Sequence, residues 1–321
     1  MNKIILAIIG AIFCFGSFAT AEQKTTIRFG HFPNITHAQG VIAHALSRQG
    51  KGWFEKRLGS NVEIQWFTYN AGPSAMEAIF AGSLDLTYVG QGPALNAYFK
   101  SNGAEIRVLA DAANGGAALV IKPDGLIKAA ADFRGKKIAT PQLGNTQDIS
   151  CRAWLKAQGF KVTQTGGDVI VVPTNNPDQL ALFQNGGVDA VWTVEPWVTR
   201  LERQAKGKVF LEDSQVITTW LTCSVKFLNS HRDLVKKIVS ANQELTDWMQ
   251  AHPDEAQKIL IAELKEETRA DFAPEDIAQA WKRIKFTTEV PKELITKAVQ
   301  DGKDAGFYKG WTDTSKLIET P

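Results

Sequence analysis

The sequence predicts an α/β protein built from two similar lobes, and three observations carry that prediction. The first is a segment that occurs twice: residues 72–91 match residues 176–195 without a gap. Pro73 pairs with Pro177, Met76 with Leu180, Ile79 with Phe183, Gly82 with Gly186, Asp85 with Asp189, and Tyr88 with Trp192. Each copy reads as a Pro-started helix, a Gly stop and a short buried strand. The second observation is the alternation of strand and helix patterns along the chain, which argues for parallel sheets. The third is length: 321 residues leave room for two domains of ordinary size.

The elements follow in order. Residues 26–30 read as a strand that ends in the polar loop of His31, Asn34 and Thr36. Val41, Ile42, Ala45 and Leu46 then recur at helical spacing until Gly50-Lys51-Gly52 stops the pattern. Residues 62–67 alternate as a second strand. The first repeat copy supplies a helix and a strand at 84–89, and Gly92-Pro93 restarts a helix. Residues 107–110 and 117–121 are further strands. A second lobe repeats the order: a strand at 137–140, a loop at 141–147, a helix through Trp154 and Leu155 to Gly159, a strand at 169–173, then the second repeat copy. After the apolar run at 216–225, helices are expected at 234–252, 253–264, 274–284 and 291–305. We place the crossings between lobes at 110–116 and 216–223. That makes residues 22–112 and 218–321 lobe one, and residues 113–217 lobe two.

Composition excludes some classes of function. Apolar residues make up 44% and charged residues 22%, the balance of a core-forming protein. The formal charge is +2 and the basic clusters are short, which argues against nucleic-acid binding. Lys3, an apolar run at 4–15 and Ala19-Thr20-Ala21 read as a secretory signal with cleavage near Ala21. The run is shorter than the about 20 residues of a membrane span. Export leaves Cys151 and Cys223, which in an oxidising compartment either pair or remain buried thiols.

Ligands of open α/β sheets bind outside the carboxyl ends of the strands. The loops expected there are rich in Gly, Asn, Gln and Thr, which offer neutral donors, and helix N-termini add free N–H groups. Residues 70–74 form the best candidate anion site, although Ser74 and Glu77 also have the spacing of a capping box. The matching terminus in lobe two carries Asp178, so the reading assigns the anion to lobe one, with Thr146 and Gln147 reaching across. Glu195 either meets an ammonium or hydroxyl group on a ligand, or caps a helix or pairs across the hinge. Trp197, Trp192, Tyr88, Trp220 and Phe32 either wall a pocket or pack the core. His31, His37 and His44 lie close together with no nearby acid or Cys to complete a metal-ligand pattern. No catalytic constellation, metal site or cofactor motif is found.

Several stretches, in order, resemble the periplasmic solute-binding proteins of ABC importers, in the aliphatic sulfonate, taurine and nitrate group. They are Phe32 through Ala38, Asn70-Ala71-Gly72-Pro73, Gly82 through Ala94, Gly115-Gly116-Ala117-Ala118, Leu143 through Gln147, and Asp189 through Trp197. The resemblance implies an α/β type II periplasmic-binding fold, with two lobes joined by two hinge crossings and closing on one ligand. It implies a soluble, monomeric periplasmic protein that is not an enzyme, takes a small organic anion such as an alkanesulfonate, and delivers it to an ABC permease in the inner membrane. Carried onto this chain, the ligand-binding positions are Asn34, Thr36, Gly72, Ser74, Gln91, Asn145 and Thr146; Gly116, Glu195 and Trp197 lie on matching stretches and join them. Nitrate or heterocycle binding and a sensor role are the alternatives.

Overall fold

The computed structural model describes residues 24–163 and 166–320; the targeting segment read at 1–21 lies outside them. In chain order the elements are β1 (Thr25–His31), α1 (Ala38–Arg48), α2 (Trp53–Leu58), β2 (Val62–Thr68), α3 (Gly72–Phe80), β3 (Leu86–Val89), α4 (Gln91–Lys100) and β4 (Ile106–Gly115). There follow β5 (Ala117–Ile121), β6 (Lys137–Thr140), α5 (Thr146–Ala157), β7 (Ile170–Pro173), α6 (Asn176–Gln184), β8 (Ala190–Val194), α7 (Trp197–Ala205) and β9 (Lys208–Asp213). The chain ends with β10 (Ile217–Ser224), α8 (Val225–Ser230), α9 (Arg232–Ala251), α10 (Pro253–Thr268), α11 (Pro274–Trp281), β11 (Ile284–Phe286) and α12 (Lys292–Ala305).

Two sheets result. One has the order β11-β4-β10-β3-β1-β2, the other β7-β6-β8-β5-β9. The expected parallel sheets are mixed instead. β1 pairs parallel with β2 and β3, and β6 with β7 and β8, but β10 is antiparallel to β3 and β5 is antiparallel to β8. The cause is the crossover itself. A strand that has just arrived from the other lobe starts at the cleft, where its parallel neighbours end, so it must run against them.

β4 continues unbroken to Gly115, and the crossing is compressed to Gly116 before β5 begins. Gly115 and Gly116 have φ of 72° and 69°, a left-handed pair that glycine adopts without strain. The return crossing occupies residues 214–216, ahead of the predicted position. Sequence reading also missed β9 and β11. In β9 the half-buried run Val209-Phe210-Leu211 is flanked by charged Lys208, Glu212 and Asp213, and β11 is only three residues long and starts at Ile284, the last residue of a segment read as helix; α11 stops at Trp281.

Both sheets carry helices on both faces. Phe29, Leu86 and Tyr88 face α1, α9 and α10, whereas Val89, Val108 and Trp220 face α3, α4 and α12. In the second sheet, Ile138 and Trp192 pack with α5, and Ala139 and Val191 with α6 and α7. Tyr88, Trp192 and Trp220 are buried in these cores, each burial contributing about 2–3 kcal/mol. Cys151 and Cys223 are buried free thiols, one in α5 and one in β10. Burial pushes both thiols above their ordinary range.

Asp111, on the strand that feeds the first crossing, gives the fold a pH dependence. Burial pushes its carboxyl up to about 7, against hydrogen bonds from Ala112 N and Asn114 Nδ2. A raised acid holds its proton more tightly when folded. Its stabilising effect is therefore present below the unfolded value and is lost as pH rises through the folded one. Relative to Asp111→Asn, the wild type is expected to lose stability between about pH 4 and 7, by at most about 1.4 kcal/mol per pH unit, and to level off above. Asn is accommodated because the Asn114 amide can turn its unpartnered Oδ1 toward it. Urea melts of both proteins across this range measure the difference, and parallel curves would overturn it.

Candidate functional site

Between the two sheets, at the carboxyl ends of their parallel strands, lies a small polar cavity. Four helices present their N-termini to it: Gly72 of α3 with Ala71 ahead of it, Gly90 ahead of α4, Thr146 of α5 with Asn145 ahead of it, and Asn176 of α6. The first turn of each helix leaves N–H groups without intrahelical partners, and the macrodipole adds a partial positive charge there. Among the described residues, no Asp, Glu, Lys or Arg lines the cavity. Such a surface attracts an anion through dipoles alone. About 20 Å³ is open to the centre of a water-sized sphere. One water needs about 10–15 Å³ on that measure, so the space suits a compact ligand.

Local chemistry holds each wall. The Asn145 side chain caps α5 by accepting from Asp148 N at 2.8 Å. Buried Asp148 in turn accepts from Gly144 N, Thr140 Oγ1 and Arg152 Nε at 2.9–3.0 Å, which ties the preceding loop to the helix. Asn34 Oδ1 accepts from Trp197 Nε1 at 2.8 Å and lies 3.4 Å from Asn176 Nδ2. Gly92 N donates to Thr146 Oγ1 at 3.1 Å. The last three contacts join one lobe to the other, so the lobes are closed. Phe32 stacks on His37 with centroids 4.2 Å apart. Burial, reinforced by His31, drives the His37 ring well below its ordinary basicity and keeps it neutral. Its Nδ1, at the cavity wall, has no partner among the described residues.

The profile of the NMT1-like family matches residues 20–264. The chain belongs to the NMT1-like family. Its relatives include a Bacillus subtilis (strain 168) protein named for aliphatic sulfonate binding, 25% identical over 320 residues, with 96% of this chain and 90% of that one covered. The taurine-binding periplasmic protein of Escherichia coli (strain K12) is 28% identical over 229 residues, covering 69% of this chain and 68% of the relative. Among solved structures, the alkanesulfonate-binding protein SsuA from Xanthomonas axonopodis pv. citri, bound to MOPS, superposes with a TM-score of 0.73 at 16% identity, covering 92% and 97% of the two chains. The nitrate-binding protein NrtA from Synechocystis PCC 6803 gives 0.69 at 15% identity, covering 91% and 84%. At these identities the two structures establish for this NMT1-like protein the periplasmic-binding fold.

Of the residues singled out from sequence for a ligand, Phe32, Asn34, Thr36, Asn70, Gly72, Asn145, Thr146 and Gln147 meet at the cavity of this NMT1-like protein. The others lie outside its lining. Ser74 does not cap α3: the helix starts at Gly72 after Ala71, no side chain caps it, and Ser74 Oγ faces the Gln142 amide of the other lobe at 3.4–3.5 Å. Gln91 Oε1 accepts from Ile217 N, and Gly116 is the crossing itself. Trp197 stands behind Asn34. Glu195 points away from the cavity, accepts from Thr199 N and Oγ1, and pairs with Arg283 Nη1 at 2.8 Å. Of the aromatic candidates Phe32 alone lines the cavity; Trp192, Tyr88 and Trp220 are core. Sequence reading weighed His37 only as a metal ligand and left out Gly90, Asn176 and Thr218. A signal for Asn176 existed, because it is the repeat partner of Gly72. Asp178, thought to exclude this terminus, is exposed, and Asn176 faces the cavity instead.

Proposed function

We propose that the protein captures a compact organic anion between its lobes in the periplasm, most simply a short alkanesulfonate, and delivers it to an ABC permease. The observation that carries this reading is the cavity edged by four helix N-termini and, among the described residues, by no charged side chain. Neutral donors of this kind suit a permanently ionised head group, which needs hydrogen bonds but no proton partner. Only the closed form offers the ligand both lobes at once, so capture is a shift of the open–closed equilibrium. The sulfonate and taurine relatives support the substrate class. Glu195 brings no second charge to the ligand: with no carboxylate at the cavity among the described residues, an ammonium on the ligand would be buried unpaired.

Thermal-shift and calorimetric titration with methanesulfonate, ethanesulfonate, taurine and nitrate tests the reading. A bound ligand should add about 3–4 kcal/mol of stability at a few hundred-fold excess over its Kd. Ethanesulfonate is expected to bind at least about ten-fold more tightly than taurine. Stabilisation by none of the four would overturn the proposal. The small volume of the cavity favours nitrate as the second reading, and binding of nitrate alone would establish it in place of the first.

A further inference from the structure

Away from the ligand cavity, a second constellation joins β1, α1 and α10. His31 Nε2 lies 2.9 Å from His44 Nδ1 and 3.1 Å from Glu267 Oε1, and His44 Nδ1 lies 3.0 Å from the same oxygen. One helical turn earlier on α10, Glu263 Oε1 lies 3.3 Å from His44 Nδ1. We propose that His31, His44 and Glu267, with Glu263 as a fourth ligand, form a binding site for one divalent first-row metal ion, of which zinc is the natural probe.

Hydrogen bonding alone does not satisfy this triangle. Arg48 Nε donates to His44 Nε2 at 3.1 Å, which puts the proton of a neutral His44 ring on Nδ1. That proton serves one neighbour, not two. If His31 Nε2 also carries hydrogen, two N–H groups face each other at 2.9 Å; if it does not, its lone pair faces the carboxylate. One edge is repulsive in either case. Three donor atoms about 3 Å apart are, by contrast, the spacing of adjacent ligands on a metal with bonds of about 2.0–2.2 Å. His31 Nδ1 lies 3.4 Å from the Phe32 carbonyl, the partner that would orient Nε2 as a ligand. Glu267 Oε1 also accepts from Thr68 Oγ1 at 3.0 Å and Glu263 Oε1 lies 3.2 Å from Arg48 Nε, whereas Glu267 Oε2 is buried with no hydrogen-bond partner among the described residues. Two imidazoles with carboxylates suit zinc and its first-row neighbours rather than magnesium or calcium. On binding, the His44 proton moves to Nε2, which displaces Arg48, a side chain 44% exposed and free to swing out. The ion would join α10 to the end of β1, next to Phe32 at the ligand cavity.

The test uses the mature protein, stripped with chelator and titrated with zinc by calorimetry and with cobalt by visible absorption. One equivalent of zinc and a cobalt ligand-field band are expected in the wild type. Glu267→Gln and the pair His31→Gln with His44→Gln should weaken zinc at least ten-fold. Arg48→Gln, a surface change that leaves the fold intact, should tighten it several-fold by removing the competing cation. A wild type with no cobalt band and less than one-tenth equivalent of zinc overturns the proposal without any variant. Unaltered affinity in the Arg48 and Glu267 variants would do the same by placing the metal elsewhere.

Discussion

Gly90→Ala is expected to cripple ligand capture while leaving both lobes folded. Gly90 has φ −66° and ψ 154°, a conformation any residue adopts, so alanine is not excluded by the backbone. The obstacle is across the cleft: a Cβ at this position would sit 2.3 Å from Thr146 Oγ1. That clash exists only when the lobes are closed. Relieving it by local movement costs about 1–3 kcal/mol, and because the open form escapes the cost, it is drawn from closure and hence from affinity. The Kd should rise about ten- to one hundred-fold, with urea midpoints of the free protein little altered. Thr146→Ala provides the control. Without Oγ1 the nearest atoms to the new Cβ lie 3.3 Å away, so the double variant should bind more tightly than Gly90→Ala alone. Titration of all three proteins decides it. Equal affinities for Gly90→Ala and wild type would mean that the ligand-bound state does not bring these loops together.

Much of this architecture was legible because it depends on local pattern. The duplicated helix and strand carry their own start and stop residues, Pro73 and Gly82 in one copy, Pro177 and Gly186 in the other, and the loops that follow parallel strands can be located without knowing the sheet order. The antiparallel strands were not legible in the same way, since direction is decided by which lobe the chain comes from. The site was half legible. Gly72, Asn145 and Thr146 announce themselves as helix starts, but His37 gains its role from burial beside Phe32, which sequence spacing does not reveal. Sequence left Glu195 open between a ligand contact and a cap or hinge pair, and the family resemblance made Gln91 a ligand position. Glu195 takes the second of those roles, capping α7 through Thr199 and pairing with Arg283, whereas Gln91 accepts from Ile217 N at the start of β10. The three clustered histidines looked bare because the acids that face His31 and His44 arrive on α10, Glu267 being 223 residues beyond His44.

The largest loss of stability is expected from Arg283→Met. Arg283 follows α11 on the six-stranded body, and its guanidinium reaches three carboxylates that the second lobe presents. Nη1 lies 2.8 Å from Glu195 and 2.7 Å from Glu202, and Nε lies 3.1 Å from Glu212. Glu212 is half exposed and contributes little to the balance. Glu195 is fully buried, and burial already raises its acid pKa against the hydrogen bonds from Arg283 and Thr199. Methionine keeps much of the side-chain volume and removes the charge, leaving a buried carboxylate held only by Thr199. Breaking such a pair costs about 3–5 kcal/mol, and the lower end applies because the Arg283 side chain is 21% exposed. A carboxyl with a raised pKa keeps its stabilising proton at low pH and loses it as pH rises, so the deficit should be smaller at pH 5 than at pH 8. Since the ion pair spans the lobes, ligand affinity should fall as well. Adding Glu195→Gln to Arg283→Met removes the stranded charge and retains an acceptor for Thr199, so the double variant should recover most of the loss. A double variant no more stable than Arg283→Met would show that Glu195 is not the group this arginine neutralises.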